Sequence, residues 1–327
     1  MFCFNFYFCY MLLLSPNNWK DYELIDSGNF EKLERFGQYI TIRPESQAVW
    51  DKKISTKEWE QRAHVKFIPK SSSSGEWKKL KNMPDQWQIK YEIVIANRQL
   101  AEKQSLSHEK IASGAAHPPN DNKKEIKFRL GLTSFKHVGI FPEQAINWDY
   151  IFESVKSLKT IQPKFLNLFA YTGGASLAAK AAGADVVHVD SIKQVVSWAR
   201  ENMELSNLNN IRWVVEDALK FVKREVKRGN KYNGIILDPP AYGHGPSGEK
   251  WQLEDNINEM IKNVLELLNE KEHFLILNAY SLGFSSIIIE NLLKEKAKNK
   301  LETGELYLNS KYGNNLPLGV FGRFRNY

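Results

Sequence analysis

Two stretches constrain the fold of this chain more than any others. Phe165-Leu-Asn-Leu-Phe-Ala-Tyr-Thr-Gly-Gly-Ala-Ser176 is an apolar run that breaks at a Gly-Gly step into small residues. Gly234-Ile-Ile-Leu-Asp-Pro-Pro-Ala-Tyr242 is a second apolar run, ended by an acid and two prolines. Short apolar runs without polar alternation read as strands covered on both faces. The Gly-Gly step permits a tight turn into a helix, and proline cannot extend a central strand. Val186-Val-His-Val189, Ile211-Arg-Trp-Val-Val215 and His273-Phe-Leu-Ile-Leu277 are further runs of the same kind. Helical patterns fall between them: Ile192, Val195, Val196, Ala199 and Met203 share one face of 191–206, and Leu253, Ile257, Met260, Ile261, Val264, Leu265 and Leu268 mark another helix. A third covers 286–298. Strands that alternate with helices predict a mostly parallel sheet with helices on its faces. Glu305–Leu308 and Val320–Phe324 have no helical pattern between them, which predicts an antiparallel edge.

The first half has a different rhythm. Tyr22–Ile25, Lys32–Phe36 and Tyr39–Ile42 are short β-prone runs separated by turn residues at Asp26–Asn29 and at Gly37. More strands are expected at His64–Ile68, Trp87–Ile93 and Ile126–Leu132, with a loop at Ser71–Gly75 and a long polar insertion at Asn97–Lys124. The expected organisation is therefore an apolar leader at 1–20, a β-rich substrate-docking domain at 21–132 and a catalytic domain at 133–327.

Residues 1–14 are apolar but carry no basic flank or small-residue cleavage site, and the run is shorter than a membrane span. Met11 is an alternative start, so residues 1–10 read as dispensable. Both cysteines, Cys3 and Cys9, lie in this leader. A disulfide scaffold, a Cys-ligated zinc site and a cysteine nucleophile in the body of the chain are thereby excluded. The expected setting is cytoplasmic, with no membrane association. A net charge of +7 is compatible with a nucleic-acid partner.

In an open α/β sheet, ligands sit beyond the carboxyl ends of the strands. After the first strand come Tyr171-Thr-Gly-Gly174; after the second, Asp190, placed to accept from two ribose hydroxyls; after the third, Glu216-Asp217, placed to accept from an adenine amino group. A nicotinamide-binding sheet would place a G-x-G-x-x-G triplet at the first turn, which this chain lacks. An adenosyl cofactor without a phosphate, S-adenosylmethionine, suits the turn better. Each feature also has an ordinary structural use: an acid after a strand caps the next helix, and a Gly-Gly step is often only a turn. Their succession carries the reading. After the fourth strand, the Asp238 carboxylate and the Pro239 carbonyl can together accept both hydrogens of an exocyclic amine, and Tyr242 can stack on a base. His244 and His137 are candidate proton carriers beside these motifs. Lys78, Lys79 and Lys81 beside Trp77 form a basic cluster that could meet phosphate.

From about Asp21 onward the chain resembles the class I S-adenosylmethionine-dependent rRNA methyltransferases, the family of the 23S rRNA cytosine-C5 enzymes and the guanine-N7 half of a related fused enzyme. The resemblance rests on Phe135-Lys-His-Val-Gly-Ile-Phe-Pro-Glu-Gln144, Leu166–Gly174, His188-Val-Asp190, Glu216-Asp217-Ala218 and Asp238–Tyr242. It implies an α/β fold: a Rossmann-like seven-stranded methyltransferase sheet with a smaller N-terminal β-rich domain. It also implies that Phe141 and Gln144 flank the cofactor, that Asn167, Phe169, Tyr171, Gly173 and Gly174 cradle its methionine end, that Asp190 holds the ribose and Asp217 the adenine, and that Asp238 stands between cofactor and target base.

The chain departs from the cytosine-C5 enzymes in two ways. Their attacking cysteine follows the fifth strand, where this chain has Leu277-Asn-Ala-Tyr-Ser-Leu-Gly283 and Ser281 is the nearest counterpart. A serine with no adjacent base is a poor nucleophile. Their small N-terminal RNA-binding domain is not evident. The expected activity is therefore methylation of an RNA base, rRNA first, at nitrogen, with Asp238, Pro239 and Tyr242 at the reaction centre and no metal. The alternatives are a methyltransferase of a protein or small molecule, and a non-catalytic RNA- or nucleotide-binding module.

Overall fold

A computed structural model describes residues 11–16, 19–71, 74–93, 124–280 and 283–327. Residues 1–10 and 17–18 of the expected leader, most of the polar insertion and Ser281 lie outside the described residues.

The chain opens with β1 (Leu12–Leu14), β2 (Tyr22–Gly28), β3 (Glu31–Phe36) and β4 (Tyr39–Pro44), then α1 (Thr56–Arg62), β5 (Val65–Pro69) and β6 (Gly75–Lys79). Strands β2 to β6 form one five-stranded sheet in sequence order. Next come β7 (Gln86–Ile93) and β8 (Lys124–Gly131), an antiparallel pair from Gln86↔Gly131 to Ile93↔Lys124.

The second half runs α2 (Ala145–Ser157), β9 (Lys164–Leu168), α3 (Gly174–Ala181), β10 (Asp185–Asp190), α4 (Lys193–Leu205), β11 (Ile211–Val215), α5 (Ala218–Lys227) and β12 (Gly234–Leu237). It continues through β13 (Tyr242–His244), β14 (Lys250–Gln252), α6 (Leu253–Leu267), β15 (His273–Ala279), α7 (Ser286–Ala297), β16 (Glu302–Asn309) and β17 (Asn315–Asn326). The large sheet has the order β1-β16-β17-β15-β12-β9-β10-β11. Its β9, β10, β11, β12 and β15 are parallel, and β17 runs antiparallel to both β15 and β16, as the helix-free connection at the end of the chain predicts.

Seven of these strands make the expected methyltransferase sheet, and β1 adds an eighth at its edge. Leu12 pairs with Gly304 and Leu14 with Leu306 in parallel register. Part of the expected leader is thus built into the fold. Gly304 is required there, because a Cβ would stand 1.8 Å from the Leu12 carbonyl oxygen. Trp19, also within 1–20, is buried and donates from Nε1 to the Lys90 carbonyl at 2.6 Å.

Both faces of the large sheet are covered, which is why its strands read as continuous apolar runs. On β9, Phe165 packs into a core shared with Trp148, Ile151, Phe152 and Val155 of α2, whereas Leu166 and Leu168 enter a second core with α5, α6 and α7. Helices α2 and α5 were not anticipated, although both carry the i, i+3, i+4, i+7 pattern: Trp148, Ile151, Phe152, Val155 in one and Ala218, Phe221, Val222, Glu225 in the other are buried. Among the described residues no helix is long and apolar enough to cross a membrane.

Candidate functional site

The carboxyl ends of the parallel strands open on one cavity of about 930 Å³. Beyond β9, Phe169 and Tyr171 line it, both with left-handed backbone at φ 54° and 49°. Non-glycine residues adopt that region at a cost, so the loop is held from outside. Asp190, at the end of β10, does the holding. Its Oδ2 accepts from Tyr171 N at 2.9 Å and its Oδ1 from Ile192 N at 3.0 Å. Burial raises its pKa, and those backbone N–H groups pull the other way. With up to four acceptor positions and these backbone donors, the carboxylate keeps room for a ligand hydroxyl. Asp217 lines the cavity and caps α5, accepting from Lys220 N at 2.8 Å. Phe141 joins an aromatic series, 4.9 Å from His137 and 5.1 Å from Tyr171.

Asp238 is at the end of β12, and burial pushes its pKa up to about 7. Gln144 Nε2 donates to its Oδ2 at 3.2 Å. The Gln144 Oε1 accepts from Asn147 Nδ2 at 2.9 Å and Asn278 Nδ2 at 3.1 Å, and Asn147 also donates to Asn278 Oδ1 at 3.1 Å. Three amides from α2, its leading turn and β15 thus fix one side of the carboxyl. Beyond it, the Pro240 carbonyl accepts from Trp251 Nε1 at 2.7 Å and the Ala241 carbonyl from Leu253 N at 2.9 Å, which ties the prolines to the β13–β14 hairpin. Tyr242 is 58% exposed at the cavity, its hydroxyl 3.0 Å from His244 Nε2.

Of the residues expected at the site, Phe141, Gln144, Phe169, Tyr171, Asp190, Asp217, Asp238, Pro239 and Tyr242 line the cavity. Asn167, Gly173 and Gly174 do not. Asn167 is buried within the sheet and donates to Ser176 Oγ at 2.9 Å. Gly173 (φ 91°) caps α3, where a Cβ would lie 3.2 Å from Ala199 of α4. A Cβ on Gly174 would lie 2.6 Å from the Trp148 ring. Both glycines stand where a Cβ would crowd a neighbouring helix, a need that a sequence pattern cannot separate from close approach of a ligand.

The opposite wall comes from the N-terminal sheet and was not anticipated. Lys32, Arg43 and Glu45 reach the cavity from β3, β4 and the turn after it, and Tyr280, Leu306, Leu318 and Val320 complete that side. Glu143, inside the quoted Phe135–Gln144 motif, is buried and its pKa is pushed up to about 7; burial dominates, with Lys32 opposing and Asp238 and Glu45 adding. Only its place in that motif pointed to it.

The model of a family described as S-adenosylmethionine-dependent methyltransferases matches residues 107–303. The crystal structure of a SAM-dependent methyltransferase from Agrobacterium tumefaciens is 34% identical, with a TM-score of 0.81 over 97% of this chain and 94% of that one. A structure of a methyltransferase complexed with SAH, 16% identical, shares the fold at a TM-score of 0.64, covering 93% of this chain and 75% of that one. Among curated proteins, the ribosomal RNA large subunit methyltransferase K/L of Shewanella frigidimarina is 29% identical over 156 residues, 46% of this chain and 21% of that protein. Its namesake from Pseudoalteromonas translucida is 35% identical over 121 residues, 36% of this chain and 16% of that protein. The chain therefore spans about a fifth of the length of these curated relatives.

Proposed function

The chain belongs to the S-adenosylmethionine-dependent methyltransferases, and on that premise we propose that it methylates a nitrogen of an RNA base, with ribosomal RNA the first candidate. The observation that carries the choice of atom is Asp238, a carboxyl at the cavity fixed by Gln144 and followed by the Pro239 carbonyl. The Pro240 and Ala241 carbonyls are already committed, which leaves Asp238 and Pro239 as the motif's acceptors for an amine. The relatives' names and the net charge of +7 support RNA as the substrate class.

The residues present fit the cofactor. Asp190 has lone pairs left for ribose hydroxyls, Asp217 faces the same cavity for the adenine amino group, and Phe141, Phe169 and Tyr171 offer apolar walls. S-adenosylmethionine supplies an electrophilic methyl group. The chain orients the accepting nitrogen through Asp238 and the Pro239 carbonyl, so that its lone pair points at that methyl group for in-line displacement. Such positioning, with water excluded, supplies most of what the reaction needs. The proton released from the methylated nitrogen passes to an acceptor in the cavity. A carboxyl with a pKa near 7 is suited to take it at neutral pH. Tyr242 stacks on the base.

Mass spectrometry of nucleosides from the rRNA of a deletion strain tests the substrate, with loss of one N-methylated nucleoside expected. The atom is tested by trapping with 5-fluorocytosine-containing RNA. A covalent protein–RNA adduct overturns nitrogen methylation, since it demands a nucleophile adding to the ring; the chain beyond Cys9 has no thiol, and Ser281 becomes the first residue to examine.

A further inference from the structure

We propose that Lys136 seats a phosphate of the RNA backbone beside the base to be methylated, held in place by a buried charge network from the N-terminal sheet. The inference rests on the RNA reading above and adds a subsite to it.

The network is built from β2, β3 and β4. Arg43, buried on β4, grips Glu34 with Nη2 at 2.6 Å and Nε at 2.8 Å, and Tyr22 donates to the same carboxylate at 2.9 Å. Lys32 Nζ lies 3.1 Å from Glu45, and the Tyr280 hydroxyl donates to Glu45 at 2.6 Å. Both acids therefore have their partners. Arg43 also uses Nη1 to donate to the Lys136 carbonyl at 3.3 Å, which fixes the Lys136 backbone against the network. Lys136 lines the cavity, and among the described residues no carboxylate lies within 4.0 Å of its Nζ. Three cations stand against two paired acids on this wall.

The local field agrees with that count. Burial pushes the neighbouring His137 down to about 3, and the charges of Arg43, Lys136 and Lys32 add to the effect while Glu45 opposes it. Burial also lowers the Lys136 pKa, so its ammonium is only partly hydrated and gains most from an anion. Buried ion pairs are poor stabilisers, because desolvation offsets their attraction. A network of this size facing a cavity has a better use in presenting a fixed positive charge. Asp238 and Glu143, in the same cavity, both have pKa values near 7, so at neutral pH they do not fully cancel it. A phosphodiester next to the target base would complete the set.

The test is methyl transfer by the full chain to total RNA from a deletion strain, across a series of salt concentrations, together with calorimetry of S-adenosylhomocysteine. Lys136→Gln is expected to raise KM about ten-fold and to flatten the slope of log(kcat/KM) against log[salt] by about 0.7, one phosphate contact on a single strand. S-adenosylhomocysteine affinity should stay that of wild type. Lys136→Arg should keep the wild-type salt slope. Lys136→Met, which retains the apolar stem, replaces the Gln variant should that misfold. An unchanged salt slope in a folded Gln or Met variant rejects the phosphate subsite and leaves the RNA reading standing. No methylation of RNA by the wild-type chain, with normal cofactor binding, sinks the RNA reading and the subsite with it.

Discussion

Replacing Asp238 by Asn should make the protein more stable and less active, and the gain should depend on pH in a defined way. The carboxyl has an ordinary pKa of 3.8, and burial lifts it to about 7 in the folded chain. Between those values the folded state holds a proton that the unfolded state has lost, so stability falls as pH rises. The fall begins near 3.8 and is complete just above 7, where the buried group must ionise. At about 1.36 kcal/mol per pH unit the ceiling is ~4 kcal/mol, and the group's partial exposure makes ~2–4 kcal/mol the expected range. Asparagine keeps an oxygen for Gln144 Nε2 and carries no charge, so the variant escapes this cost. Urea unfolding of both proteins at pH 3, 5 and 8 reads the effect. The variant should match wild type at pH 3 and exceed it by ~2–4 kcal/mol at pH 8. Glu143 is present in both proteins and largely cancels, apart from its coupling to Asp238. A stability difference that does not change with pH would refute the argument, because it would mean that Asp238 ionises in the folded protein as it does in water.

Three further outcomes are expected. Asp190→Ala should weaken S-adenosylhomocysteine binding by about 1–3 kcal/mol in calorimetry, since it removes a hydroxyl acceptor and leaves the Tyr171 and Ile192 N–H groups without theirs. Gly174→Ala should cost about 1–3 kcal/mol in denaturant unfolding through overpacking on Trp148 while cofactor affinity holds; weaker cofactor binding in a folded variant would put this glycine back at the ligand. A chain starting at Met11 should melt and bind cofactor like the full chain, whereas one starting at Trp19 loses β1, bares the edge of β16 and should self-associate in size-exclusion chromatography.

The strand-end side of the cavity was legible in the sequence because it is local. Asp190, Asp217 and Asp238 each fall within two residues of the end of an apolar run, and in a parallel sheet that position alone brings them to one edge. Helices α2 and α5 were also legible in principle. Their buried residues keep helical spacing, but α2 follows a loop and 3-10 turn, and α5 is mostly charged outside its buried stripe, with Lys220, Lys223, Arg224 and Lys227 between the apolar positions. Gly173 and Gly174 show where local reading stops. Both a ligand and a neighbouring helix demand the absence of a Cβ, and the helix-packing demand becomes visible only from the positions of Trp148 and Ala199 in the folded chain.

The charged wall was hidden for a different reason. Lys32 and Glu34 alternate with Leu33 on β3, a pattern that ordinarily marks a strand with one face in water. Here the charged face is buried too, with Lys32 at 7%, Glu34 at 0% and Arg43 at 3% exposure. It is buried because the five-stranded sheet docks on the loops that carry Lys136, Glu143 and Tyr280, roughly 100 to 250 residues away along the chain. No window of sequence contains both partners. Groups at the carboxyl edge of the large sheet follow from strand order, whereas the charged wall arises where two sheets distant in sequence meet. That division explains why the strand-end acids could be read from the chain while the charged wall opposite them could not.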